Sequence, residues 1–254
     1  MKKIVIFFLA LVLLTPSFAF PGMFTFKAGF FVPQANFDVR DDNLWWFEFD
    51  NMDLSKTDYQ TTNFGFAYEY FVTRQISLVL GVDTYNKNKY GSYEGYVGET
   101  IGALDYAFDY GEGFPISHSF NVSITPIQLS LKFAPTGRRG KFIPYIGGGV
   151  GLYLWNVTLR GDLIMDEYEW FYDPDLDQDV RGYIVELADL REDYRLSLGY
   201  HAFGGIMMPV ANRISLEVEF KYNYAQGELK EAFLGFEPFD LSGYQISLGL
   251  NYWF

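Results

Sequence analysis

The stretch RISLEVEFKYNY, residues 213–224, alternates for twelve residues without a fault. Ile214, Leu216, Val218, Phe220, Tyr222 and Tyr224 share one face; Arg213, Ser215, Glu217, Glu219, Lys221 and Asn223 share the other. A period of two is that of an extended strand with one apolar and one polar side. A tilted strand crosses a bilayer in ~9–11 residues, so this one is long enough to span. One such strand would also suit a soluble sandwich. The number and spacing of its companions decide between the two.

The chain closes on the same pattern. In SGYQISLGLNYWF (242–254), Tyr244, Ile246, Leu248, Leu250, Tyr252 and Phe254 form an apolar row with rings at both ends. Six further segments alternate: 23–32, 63–72, 76–85, 119–133, 142–157 and 195–210. Within SFNVSITPIQLSLKF (119–133) the apolar row slips by one at Thr125–Pro126, which predicts a β-bulge, because Pro cannot donate to the ladder.

The links between these segments alternate in length. Residues 73–75, 134–141 and 211–213 are short turns, whereas 33–62, 86–118, 158–194 and 225–242 are long. A soluble barrel has no reason to sort its loops by side. The pattern predicts an all-β, eight-stranded antiparallel transmembrane up-and-down β-barrel with short periplasmic turns and long extracellular loops. The 26 Phe, 20 Tyr and 5 Trp suit a lipid-facing wall with aromatic girdles. Tyr222, Tyr224 and Tyr244 are expected in the outer girdle, and Tyr252 and Phe254 in the periplasmic one.

The N-terminal segment MKKIVIFFLALVLLTPSFA reads as a cleaved signal peptide over residues 1–19. It has two lysines, an apolar run from Ile4 to Leu14 that is too short to span, and small residues Ser17 and Ala19 before the expected cut. One domain, 20–254, follows. The absence of cysteine excludes a lipoprotein anchor and any disulfide framework. Without Lys2 and Lys3, 17 basic residues face 32 acidic ones, a net charge of −15 that excludes nucleic acid as a partner.

The polar faces supply the candidate lumen: Lys27, Glu69, Asp83, Lys132, His201, Glu217, Glu219 and Lys221, with Asn121, Gln128, Arg213, Gln245 and Asn251. An eight-stranded barrel is just wide enough for side chains to fill. The lumen is thus either an ion-paired plug or a narrow hydrated path.

Catalysis is not expected. His118 and Ser119 are adjacent on a strand and so point to opposite faces, and His201 has no Ser placed beside it by the alternation. In the acidic segment 159–193, Asp175, Asp177, Asp179 and Glu186 fall at positions 1, 3, 5 and 12 of a calcium-loop spacing, although Val180 stands where the turn needs Gly. Ca2+ is the one cofactor the sequence offers; the plainer expectation is a solvated loop.

KAGFFVPQ (27–34), ITPIQLSLKF (124–133), FIPYIGGGVGLY (142–153) and the terminal YWF resemble the small outer-membrane barrels of Gram-negative bacteria, the outer-membrane protein W and opacity-type group. The resemblance implies residence in the outer membrane among lipid and lipopolysaccharide. It implies recognition of the C-terminal Phe254 by the barrel-assembly machinery, and porin-like passage of small, hydrophobic solutes. Two readings stay open. One is a narrow pore or transporter. The other is a closed barrel whose acidic extracellular loops bind a partner, divalent cations or the lipopolysaccharide surface. The sequence leaves the oligomeric state undetermined.

Overall fold

The computed structural model describes residues 21–35, 43–138, 140–230, 232–236 and 238–254. The expected signal peptide, 1–19, lies outside the described residues. Among the described residues eleven strands form in chain order. They are β1 (Gly22–Pro33), β2 (Thr61–Phe71), β3 (Ile76–Ser92), β4 (Val97–Ile101), β5 (Leu104–Phe108), β6 (Ser117–Phe133), β7 (Ile143–Asp173), β8 (Gln178–Ala211), β9 (Ile214–Gly227), β10 (Phe239–Asp240) and β11 (Gly243–Trp253). Helix α1 (Leu44–Asn51) and a 3-10 turn (Lys56–Tyr59) sit between β1 and β2.

Eight of the strands close a ring in the order β1-β2-β3-β6-β7-β8-β9-β11, with β11 pairing antiparallel back onto β1. Closure removes every edge from the wall, which a strand crossing lipid requires. The expected eight strands and their order are all present.

Across the lower part of the ring the polar side faces in and the apolar side faces out. Phe66 and Leu248 are 65% and 66% exposed, while Glu69, Lys132 and Glu219 on the same or neighbouring strands are buried. Along β11, Tyr244 and Tyr252 stand eight residues apart, about 27 Å of strand and ~20 Å along the axis at a tilt of ~40°. Tyr222 packs on Tyr244 (5.0 Å between centroids) and Tyr200 on Tyr224 (4.7 Å) at one rim. Phe254 packs on Phe24 (5.3 Å) and on Tyr68 (6.1 Å) at the other. All five expected girdle residues therefore lie on the outside, at the two rims of the belt.

The expected bulge at Thr125–Pro126 is absent. Thr125 pairs with Leu154 and Pro126 with Tyr153 in unbroken register. What changes there is the surroundings. Below, Ile127, Leu129, Leu131 and Phe133 point outward to lipid; above, Phe120, Val122 and Ile124 point inward and are buried. The strand keeps its parity while the apolar side passes from the outer to the inner surface. Asn121 is consequently outside the barrel, where it bonds Asn86, and is no lumen residue. Arg213 likewise lies in the short turn before β9, exposed beside the Tyr252 hydroxyl.

The described residues of the long connections carry regular structure. The segment 158–194 is a continuous hairpin: β7 runs 31 residues and β8 runs 34, far more than a bilayer crossing needs. The β4–β5 hairpin adds to β8 through Asp105–Val185, Tyr106–Ile184 and Ala107–Tyr183. A four-stranded sheet, β7-β8-β5-β4, thus stands above the barrel.

Candidate functional site

The interior holds two layers. The lower one is ionic. Lys27 donates to Glu219 at 2.7 Å and lies 3.6 Å from Glu217. Lys132 donates to Glu69 at 2.9 Å and lies 3.7 Å from Glu217. Lys221 donates to Asp83 at 2.7 Å and to the Gln128 carbonyl at 3.0 Å. Arg138, from the turn after β6, closes the short-turn end by donating to Glu69 at 3.3 Å. Four cations thus face four carboxylates, Glu69, Asp83, Glu217 and Glu219, so the buried charge is balanced. Buried charges persist only when paired and hydrogen-bonded. The Tyr145 hydroxyl donates to Glu219 at 3.1 Å, and the Ser77 hydroxyl to Glu69 at 2.5 Å, which supplies those further bonds.

Seven of the eight expected lumen residues join this network; the eighth, His201, pairs with Ser130 instead. Their Oγ–Nε2 separation is 2.7 Å. A Ser does stand beside His201, contrary to the expectation from alternation within one strand. Ser130 comes from β6 and reaches His201 past Gly149 of the intervening β7, a neighbour that parity within one strand cannot name. Among the described residues the Nδ1 of His201 has no hydrogen-bond partner, so none of their carboxylates orients the ring in the way a catalytic base requires. The expected His118–Ser119 divergence holds: His118 is buried inward, and Ser119 donates outward to the Arg160 carbonyl at 3.2 Å. The cavity left inside the network is about 20 Å3, lined by Lys27, Glu69, Asp83, Lys132, Glu217 and Glu219 among others. That is room for about one water.

The upper layer is aromatic. α1 begins at Asn43, whose side chain accepts from the Trp45 N–H at 2.8 Å. A helix of eight residues is too short to hold alone, so tertiary contacts must fix it. Asn43 donates to the Pro238 carbonyl and the Trp45 indole to the Asp240 carbonyl, both at 2.9 Å. Trp45 then stacks on Phe239 (5.2 Å) and meets Phe120 (5.4 Å) and Tyr59 (5.0 Å) edge-on, while Phe239 stacks on Trp155 (5.7 Å). These residues fill the barrel mouth as a core. Within it, Glu48 of α1 and His118 of β6 are fully buried and 3.1 Å apart. Burial raises the Glu48 carboxyl above its ordinary range, with His118 opposing. Sequence reading missed Glu48, because nothing local places residues of a long connection inside a barrel.

The expected calcium loop is the tip of the hairpin. Asp175 and Asp177 lie in the turn; Asp179 pairs opposite Tyr172 and Glu186 opposite Leu163. Seven residues of extended strand separate Asp179 from Glu186, about 23 Å, so the four carboxylates do not surround one point. Among the described residues no group of three or more His, Cys, Asp or Glu could hold a metal ion.

A closed ring, a polar packed lumen and an apolar belt between aromatic rims define the class: an eight-stranded membrane-spanning β-barrel, the architecture of outer membranes. No family model matches the chain, and no curated protein matches it. Solved structures with a related course of chain include Neisserial surface protein A (10% identity, 93% of this chain and 98% of that one, TM-score 0.45). OprG of Pseudomonas aeruginosa (13%, 91% and 96%, TM-score 0.40) and AlkL in lipid bilayers (15%, 92% and 90%, TM-score 0.36) are others. The assignment of class rests on this chain's own ring and belt.

Proposed function

We propose that the protein is an outer-membrane anchor: a closed barrel that raises a β-sheet from the cell surface to meet a ligand or partner. The observation that carries this reading is the filled interior. The ion-paired layer and the aromatic layer together occupy the barrel from one rim to the other, so the side-chain scaffold and not a path fills the lumen. The wall above the membrane is instead extended into the sheet β7-β8-β5-β4. Chain length and ordered structure are spent outside the bilayer, where a partner is met. The lipid face, lipopolysaccharide and the assembly machinery, the last reading Phe254 at the end of β11, complete the expected surroundings.

Single-channel recording tests the closed barrel. The refolded protein, shown folded by heat-modifiable gel mobility, is expected to leave a planar bilayer silent. Stepwise currents whose ion selectivity changes in Glu217→Lys would overturn the closed reading and restore the pore.

A second reading, lateral access for a hydrophobic solute, has one observation in its favour. The β8–β9 ladder stops at Gly199–Ala225, and a hollow of about 390 Å3 opens there beside Trp155, Leu196 and Leu198. Uptake of an alkane-like probe into liposomes, lost when Leu198→Glu places a charge at that seam, would favour it.

A further inference from the structure

The sheet above the barrel has two unlike faces. On one, Phe108, Tyr110 and Phe171 form the floor and wall of a hollow of about 370 Å3 at the tip, a volume suited to a small organic ligand. The rings lie low on the sheet because residue 182 is glycine: a Cβ there would sit 2.8 Å from both Phe108 and Phe171. Phe108 meets Phe171 edge-on at 5.6 Å and Tyr110 at 6.2 Å.

Four carboxylates border these rings: Glu99, Glu112, Asp173 and Asp175. Asp173 is already engaged. It accepts from the backbone N–H of Asp175 at 2.7 Å and of Leu176 at 3.2 Å, and the Tyr110 hydroxyl also bonds it and holds its carboxyl below the ordinary range. The other three carry no ion pair among the described residues, and no Lys, Arg or His lines the hollow. Elsewhere the same sheet does pair its acids: Asp189 sits between Arg160 (2.9 Å) and Arg191 (2.6 Å). The tip hollow is therefore an aromatic-walled cavity with negative charge left unmatched.

Ring faces carry negative charge that attracts an ammonium group, and a carboxylate rim adds to it. A hard metal ion gains little from the rings and lacks a converging ligand set here. We propose that this hollow binds an organic ammonium ion on a flexible alkyl chain, of the linear polyamine class. Its methylenes lie on the rings and its charges meet Glu99, Glu112 and Asp175. This inference rests on the display reading above and names a ligand class for it.

The test is isothermal titration of the full-length folded barrel in detergent with spermidine, with Mg2+ alongside. Saturable one-site binding is expected, weakened about tenfold or more by Glu99→Gln with Glu112→Gln and by Tyr110→Leu. Asp166→Asn removes the same charge from the sheet outside the hollow and is expected to leave affinity unchanged. Near-ultraviolet circular dichroism confirms that each variant keeps its aromatic packing. Three results would overturn the proposal: no saturable heat, equal loss in Asp166→Asn, or undiminished binding in Tyr110→Leu. Equal heats from Mg2+ and spermidine would likewise reduce the hollow to diffuse counterion attraction. None of these would touch the closed-barrel reading, which stepwise conductance tests separately.

Discussion

The lower and upper halves of this barrel are built from the same strands with opposite chemistry. On β6, Gln128, Ser130 and Lys132 face inward below, with Leu129 and Leu131 outside; above, Phe120 and Val122 face inward, with Asn121 and Ser123 outside. The register does not change: against β7 it runs unbroken through Pro126, and against β3 it resumes unshifted after a gap at Asp83–Thr84. The solvent changes. Lipid outside demands an apolar outer surface and leaves the polar face to the lumen, whereas water outside restores the ordinary arrangement of a soluble protein. The lower half is held by paired charges and the upper half by ring packing. Perturbations should separate the two.

The largest effect is expected from unbalancing the ionic layer. Glu219→Ala strips Lys27 of its 2.7 Å partner and leaves it the longer contact to Glu217. A buried charge left short of its partner costs about 3–5 kcal/mol. Urea unfolding of the folded barrel in lipid should show that loss. A cost under about 1 kcal/mol would mean that the lower lumen is wet enough to solvate Lys27, and would weaken the closed reading with it.

The comparison sharpens when one substitution is placed outward on both halves of β6. Leu129→Lys puts a charge against lipid and should cost about 2–4 kcal/mol. Asn121→Lys puts the same charge into water, where a surface change stays within about 0.5 kcal/mol. Equal costs would place the membrane boundary elsewhere than Ile124–Ile127.

The smallest effect is a pH dependence confined to the upper half. Burial raises the Glu48 carboxyl in the folded state, so closing the cap takes up a proton. The sign follows: the cap is firmest below the ordinary Glu value of about 4.3 and loosens as pH rises through Glu48's elevated titration. Hydrogen exchange of the α1 amides should therefore report weaker protection, beyond the intrinsic rate change, as pH rises. Glu48→Gln should flatten that trend. An unchanged trend in Glu48→Gln would assign the dependence to another group.

The lower half was legible residue by residue. Lys27, Glu69, Asp83, Lys132, Glu217, Glu219 and Lys221 fall on inward positions because lipid imposes one rule on every strand it touches, and period-two parity carries that rule along the chain. The pairing of inward residues on different strands was not legible. Arg138 comes from a turn, Ser130 of β6 meets His201 of β8, and Tyr145 of β7 meets Glu219 of β9. The upper half misled wherever its outer solvent was taken to be lipid, as at Asn121 and at the supposed Pro126 bulge. The acidic hairpin misled for another reason. Asp175, Asp177, Asp179 and Glu186 match a ligand spacing only if the chain curls, and pairing with β7 holds Asp179 and Glu186 extended. The even spacing of Tyr168, Trp170 and Tyr172 was the signal that this segment is strand.

The sequence by itself determined the eight spanning strands, their polarity, the girdles and the lumen charges, because the bilayer is a uniform solvent that acts on each residue through its parity alone. Only the tertiary structure decided what fills the mouth and what stands above it. Trp45, Glu48 and Phe239 become core, and 158–194 becomes a sheet, through contacts between segments far apart in the chain, and no local pattern encodes those.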